Sequence, residues 1–355
     1  MSKINANKSN KANMDYDRLE KLLASEKMPK YRLDQIRKAI FRDGVSSFSE
    51  ILTLPRIFRE ELDEEVDILS FFPEKALKSL DGRSIKILLK LKDGKYIETV
   101  LISPKPGIWS ACVSSQIGCP MGCQFCATGK GGFVRNLTSE EIIDQILFWK
   151  QHLKKNKISG IFSNIVFMGM GEPFLNWKEV SKSIKDLTDP KLFGFGSRSI
   201  SVSTVGIREG IEKIAKEFPQ VNLAISLHFG NNKKRSEYMP INKDYDLNNI
   251  KNSISCYFQK TRRKIFLEYI MLADINDSQK DADDLIKFIR SIDDNYLLHL
   301  NLIKYNETSG KFVPSTGTKM NEFKNYLVSR EISVTIRKSL GEDIQGACGQ
   351  LAGKN

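Results

Sequence analysis

The sequence predicts an α/β fold, a partial (β/α)6 barrel preceded by a small helical accessory domain. Three observations carry this. From about Trp109 onward, short β-type apolar runs alternate with segments of helical period. About six such units are present, fewer than the eight that close a barrel. Residues 14–79 read as helical instead, and a hairpin pattern separates the two regions.

In chain order, residues 1–13 form a Lys-, Asn- and Ser-rich stretch expected to be a disordered basic tail. Residues 14–79 are expected to be a helical domain, with apolar stripes such as Leu33, Ile36, Ile40 and Phe41. Its Lys and Arg content suits RNA binding as well as simple packing. Over 80–104, Ser84–Leu91 and Tyr96–Ile102 pair as a linking hairpin around Lys92-Asp-Gly-Lys95. Residues 105–341 form the barrel, where Thr138-Ser-Glu-Glu141 fits a capping box opening the first barrel helix. Residues 342–355 form a terminal loop that carries Cys348. Right-handed crossovers make the sheet parallel, so ligands are expected at the carboxyl ends of its strands.

The chain of 355 residues has a net charge of +12. A cationic surface favours polyanions such as nucleic acid, because binding releases counterions from phosphates. No apolar run approaches the roughly 20 residues that span a bilayer, and the first residues lack an apolar export core. A cytoplasmic protein without a membrane partner is the expectation, with a monomer as the default.

The six cysteines are Cys112, Cys119, Cys123, Cys126, Cys256 and Cys348. Gly118-Cys-Pro-Met-Gly-Cys-Gln-Phe-Cys126 has the spacing C-x3-C-x2-C directly after the first barrel strand. Three thiolates on one short loop can hold three corners of an iron–sulfur cubane and leave one iron open. Zinc sites usually show paired C-x2-C ligands and four donors instead. Cys256 lies among Ile254, Tyr257 and Phe258 and reads as core filler.

This cysteine pattern at the start of a partial barrel resembles the radical S-adenosylmethionine (SAM) enzymes. Cys112-Val-Ser-Ser-Gln-Ile-Gly-Cys119, Phe167-Met-Gly-Met-Gly-Glu-Pro173, Ala224-Ile-Ser-Leu-His228, Met239-Pro-Ile-Asn242 and Asp343-Ile-Gln-Gly-Ala-Cys-Gly-Gln350 extend the likeness. Together they resemble the RlmN-type adenine-C2 RNA methyltransferases. The resemblance implies a [4Fe-4S] cluster on Cys119, Cys123 and Cys126, whose open iron chelates SAM and whose electron cleaves it to a 5′-deoxyadenosyl radical. It also implies a SAM pocket formed by Gly171, Glu172, Ser203, Ser226, Leu227, His228 and Asn306, although His228 also reads as a satisfied core histidine.

Adenine C2 is electron-poor, so direct methyl transfer from SAM to it fails. The resemblance implies that Cys348 is methylated first, and that the derived carbon radical adds to C2 as a protein–RNA crosslink. Cys112 then resolves the crosslink by forming a disulfide with Cys348, and Glu98 is the implied proton acceptor. Taken alone, Glu98 reads as a strand residue facing solvent and Cys112 as a buried strand thiol. The implied partners are 23S ribosomal RNA, transfer RNA and an electron donor such as flavodoxin. Enzymes methylating C8 of the same adenine share the cysteine set, while Glu172-Pro173 and the cluster loop look more like the C2 enzymes. An iron–sulfur protein that binds RNA or transfers electrons without methyl transfer is the alternative class, and it leaves Cys112 and Cys348 without a purpose.

Overall fold

The structure is a computed structural model describing residues 12–13, 16–26, 28–308 and 310–353. Most of the expected basic tail, with the beginning of the helical region at 14–15, lies outside the described residues. Ten strands form one large sheet: β1 (Phe71–Lys78), β2 (Ser84–Leu91), β3 (Tyr96–Lys105), β4 (Ile108–Cys112) and β5 (Ile161–Phe167). They continue as β6 (Ile200–Thr204), β7 (Asn222–Ser226), β8 (Ile265–Met271), β9 (Leu298–Lys304) and β10 (Val334–Arg337). Their order in the sheet is their order in the chain. β1 to β4 pair antiparallel, and every pairing from β4 to β10 is parallel.

Parallel neighbours need crossovers, and a helix fills each one. Ser139–Lys155, Trp177–Thr188 and Arg208–Glu217 serve the first three, and Leu247–Thr261, Gln279–Arg290 and Gly317–Ser329 the rest. The expected β/α units are therefore present, with β10 added as a final strand. The sheet runs from β10 to β1 with two free edges, so the barrel stays open. β8 is buried along nearly its whole length, as a strand covered on both faces must be.

The first barrel helix starts as its sequence requires. Thr138 Oγ1 accepts from the Glu141 N–H at 3.2 Å, and Glu141 Oε2 accepts from the Thr138 N–H at 3.0 Å. Arg135 grips both oxygens of the same carboxylate, at 2.7 and 2.8 Å. Thr138→Ala is expected to destabilise the protein by about 1 kcal/mol, as a lower denaturant midpoint at unchanged slope.

One expectation is corrected here. The region read as helical to residue 79 stops being helical at Glu65, and Phe71–Lys78 is the edge strand β1. Most of its residues face solvent and Pro73 sits at a register shift, so neither alternation nor strand propensity marks it. Proline at an irregular edge also suits a strand with one open side. The hairpin at Lys92–Lys95 forms as read, with Gly94 at φ +78°. Since β3 pairs with β4, the hairpin extends the barrel sheet and is not a free linker.

The helices Tyr16–Ser25, Tyr31–Arg37 and Arg56–Glu65 share their core with the barrel, through Ile40, Phe41 and Phe48. Lys150, Gln151 and Lys154 of the first barrel helix donate to the carbonyls of Phe41, Val45 and Asp43. Those contacts satisfy backbone oxygens that a helix end would otherwise leave open. Among the described residues, no helix is long and apolar enough to cross a membrane.

Asp144 joins the same helix to Ser70, whose N–H it receives at 2.8 Å. Burial pushes its carboxyl from 3.8 up to about 7. The folded state then binds a proton that the unfolded state releases, so stability falls as pH rises from about 4 to 7 and is level beyond. Asp144→Asn keeps an acceptor for Ser70 without the charge. It is expected to flatten the melting temperature across that window.

Candidate active site

The carboxyl ends of the parallel strands converge on one open cavity. Its first wall is the cysteine loop. Gln116–Gly118 pairs antiparallel with Phe133–Asn136, which pinches the loop at its base. There the Cys119 N–H donates to the Gly132 carbonyl at 2.8 Å. A Cβ on Gly118 would fall 1.9 Å from that same oxygen, and φ is +74°, so only glycine fits. The loop thereby turns Cys119, Cys123 and Cys126 to the cavity, where all three contribute to its lining.

The opposite wall is built from strand ends. Gly171 and Glu172 follow β5, Ser203 lies in β6, and Ser226 and His228 lie at the end of β7. Ser203 and Ser226 bring their hydroxyls within 3.3 Å of each other. Gly171 has φ +103°, and a Cβ there would lie 2.6 Å from Gln116 Cβ. Glu172 is buried, accepting from the Val205 N–H at 2.9 Å and the Phe174 N–H at 3.1 Å. Burial pushes its carboxyl up to about 7 despite those bonds.

His228 adopts φ +59° and packs edge-on against Phe125, with ring centroids 5.1 Å apart. Its Nδ1 accepts from the Ile270 N–H at 3.1 Å, which leaves Nε2 as the protonated nitrogen of the neutral ring. Burial holds the ring neutral by lowering its pKa to about 3. His228 is therefore a satisfied histidine and a cavity residue together. Leu227 and Asn306 stand off the lining. Leu227 is buried in the core, and its carbonyl accepts from Arg235 Nε. Asn306 Nδ2 donates to the Cys348 carbonyl at 3.1 Å, while its buried Oδ1 has no partner.

A second cavity adjoins the first, sharing Cys126, Arg337 and Cys348 with it. Cys112, at the end of β4, lines this one only; Cys348 lines both. Two cysteines far apart in sequence thus share one space, with the Cys348 thiol at the boundary. Burial, then the neighbouring Cys348, pushes the Cys112 thiol up to about 12. Glu98 is placed elsewhere. It lines neither cavity, pairs with Lys86 Nζ at 2.7 Å, and accepts from the N–H groups of Ala352 and Gly353.

Sequence reasoning missed three charged residues. Glu268 and Arg337 form a pair at 3.5 Å, with Asn301 Nδ2 donating to Glu268 at 3.0 Å. Both line the first cavity, and Arg337 also lines the second. The available signal was Glu268 itself, an acid inside the apolar run Ile265–Met271. Arg235 is fully buried, donating to the carbonyls of Val205, Tyr245 and Leu227 and to Asn242 Oδ1.

These residues fit the implied groups. Among the described residues Arg235 donates only to neutral oxygens, and the negative charges that act on it are those of Cys123 first and then Asp246. A buried cation without an anion is costly, and thiolates ligating a cluster would supply the missing charge. Burial first, then the neighbouring thiols and Glu172, push the thiols of Cys119 and Cys123 upward, Cys119 to about 12, so metal binding is what would hold them as thiolates. Among the described residues, no three His, Cys, Asp or Glu side chains are arranged for a single metal ion. The small and polar residues at the strand ends, Gly171, Ser203 and Ser226, suit a polar ligand beside the cysteines.

A parallel partial barrel with three cysteines on its first loop defines the chain as a radical SAM protein. The model of the Radical SAM superfamily matches residues 113–289. A "Ribosomal RNA large subunit methyltransferase Cfr" of Clostridium botulinum (strain Loch Maree / Type A3) is 41% identical over 347 residues, covering 96% of this chain and 97% of the relative. A "Probable dual-specificity RNA methyltransferase RlmN" of Syntrophomonas wolfei is 40% identical over 345 residues, covering 95% of each. The crystal structure of a radical SAM methyltransferase from Sphaerobacter thermophilus superposes with a TM-score of 0.88 at 35% identity, covering 96% of this chain and 98% of that one. The chain belongs to the RlmN/Cfr family of radical SAM methyltransferases.

Proposed function

We propose that the protein methylates a ring carbon of an adenine in 23S ribosomal RNA, using Cys348 as the methyl carrier and Cys112 as the resolving thiol. The observation that carries this is the position of Cys348, which lines both cavities, the first lined by Cys119, Cys123 and Cys126 and the second by Cys112 together with Cys126. A carrier must meet a methyl donor on one side and an acceptor base on the other. When bound, the cluster on Cys119, Cys123 and Cys126 and SAM would supply the methyl group and the radical. The chain's own residues do the rest. Gly171, Ser203, Ser226 and His228 would bind and orient SAM, with Glu172 bracing the turn behind them and Asn306 acting through its bond to the Cys348 carbonyl.

Cys348 would carry the methylene that bonds to the base. Once the adduct has given up one electron and the ring-carbon proton, the Cys112 thiolate would attack the Cys348 sulfur. The S–S bond forms as the S–CH2 bond breaks, and the departing carbon takes up a proton to become the methyl group. The disulfide is left for the electron donor to reduce. Arg337, in both cavities, would stabilise anionic sulfur as either cysteine reacts. The net charge of +12 supports an RNA substrate, and a donor such as flavodoxin would deliver the electrons.

Within this reading the target carbon is C2, on the resemblance of the Gly171-Glu172-Pro173 turn and the cluster loop to the C2 enzymes. C8 is the second reading, favoured by the relatives named Cfr. Transfer RNA is proposed as a further substrate on the strength of the relative named for dual specificity. Anaerobic turnover of 23S and transfer RNA fragments, followed by nucleoside mass analysis, tests all three. The expected product is 2-methyladenosine from both RNAs. 8-Methyladenosine would reassign the carbon, and no methylated adenosine would refute the activity.

A further inference from the structure

The segment carrying the proposed methyl carrier is held on both sides of Cys348. On the approach, Asp343 Oδ2 accepts from the Leu80 N–H at 2.8 Å. At the centre, Asn306 Nδ2 donates to the Cys348 carbonyl and the Ala127 N–H donates to the Gly349 carbonyl. Ala127 directly follows the cluster ligand Cys126, so this bond ties the carrier to the cluster loop. Beyond Cys348, Thr128 Oγ1 donates to the Leu351 carbonyl. The last hold is Glu98, whose Oε2 accepts from the Ala352 N–H at 2.7 Å and the Gly353 N–H at 3.0 Å.

Glu98 is unusually well placed for holding and poorly placed for proton transfer. Its Oε1 pairs with Lys86 Nζ at 2.7 Å, with both side chains under a tenth exposed. Three of its roughly four acceptor positions are therefore taken, and the carboxylate faces neither cavity. The tail it receives is shaped for that seat. Gly353 has φ +62°, and a Cβ there would lie 2.8 Å from Met170 Cε and 2.9 Å from the Tyr96 carbonyl. Only a glycine reaches so far down, beside the strand from which Glu98 projects.

We propose that Glu98, paired with Lys86, is a positioning residue that clasps residues 352–353 and so holds Cys348 at the boundary of the two cavities. It acts on the reaction through the tail and not as the proton acceptor. This rests on the reading of Cys348 as methyl carrier. In the step concerned, the Cys348 thiolate forms a bond to the SAM methyl carbon as the methyl–sulfonium bond breaks. S-adenosylhomocysteine leaves, and the thiol proton has passed to solvent. Its rate depends on alignment of sulfur, carbon and leaving group, which a loosened tail would spoil.

The test compares wild type with Glu98→Ala, Glu98→Gln and Gly353→Ala in the full chain. Amide hydrogen exchange over residues 342–353 and mass analysis of Cys348 methylation are the readouts, with iron content and melting temperature as controls. Glu98→Ala and Gly353→Ala are both expected to speed exchange and slow Cys348 methylation by about tenfold or more, since the hydrogen bonds to a charged group are lost or displaced. Glu98→Gln keeps an acceptor oxygen and is expected to recover part of the protection. If Glu98→Ala leaves exchange and Cys348 methylation at wild-type values but accumulates protein–RNA adduct, Glu98 is the proton acceptor and the clasp is refuted. Should Glu98→Ala fail to fold, Gly353→Ala and a chain ending at Leu351 decide the same question, because unchanged exchange there overturns it. A wild type that never methylates Cys348 defeats the carrier reading instead, and the exchange data still decide the clasp.

Discussion

Alanine at Cys112 is expected to convert the protein from a catalyst into a trap for its RNA. With the second thiol gone, nothing in the second cavity can attack the Cys348 sulfur and free the base. Of the other cysteines of this region, Cys119 and Cys123 line only the first cavity, and Cys126, which borders both, would be held by the cluster. Incubation of Cys112→Ala with SAM, a reductant and RNA should give a covalent adduct on denaturing gels, stable to phenol and cleaved by nuclease. Methylated product should fall on the order of a thousandfold or more, the scale seen when a residue that works as part of a unit is removed. The added substitution Cys348→Ala should abolish the adduct. An adduct that persists without Cys348 would remove it as the carrier. The same double variant also separates this proposal from an iron–sulfur protein that only binds RNA, which forms no adduct in either background.

Replacing Cys119, Cys123 or Cys126 by alanine should cost the cluster and every reaction that depends on it. Two thiols on one loop cannot hold three corners of a cubane, and the cavity offers only Glu172 and Glu268 as acidic residues, each already engaged. Iron and sulfide content should drop to background while the melting temperature changes little, because the ligand loop is pinned by backbone bonds at its base. Neither SAM cleavage nor Cys348 methylation should be measurable. A variant that retained both would show that another residue completes the ligand set. Arg235 sharpens the expectation. With the cluster lost, its buried charge keeps only the weaker influence of Asp246, so the region around Val205 and Tyr245 should lose local stability.

The barrel was legible because its signals are local. Crossover helices begin at caps such as Thr138 and Glu141, and a parallel strand such as Ile265–Met271 announces its burial in its own residues. The edge strand Phe71–Lys78 was not legible, since what orders it lies far away in sequence, its pairing with β2 and the packing of Phe71 on Phe148. His228 shows the middle case. Its place near the cavity was readable, but the N–H from Ile270 that sets its tautomer comes from another strand.

By itself the sequence determined the cysteine triad, because ligands on a single short loop meet whatever the rest of the chain does. Strand-end placement of Gly171, Ser203, Ser226 and His228 followed from the β/α repeat alone. Only the tertiary structure decided that Cys348 borders the triad's cavity on one side and Cys112's on the other. It also paired Glu268 with Arg337 and turned Glu98 from the cavities toward Lys86 and the tail. Each of these depends on residues distant in sequence. Their meeting is set by how strands order and pack, and no spacing along the chain encodes it.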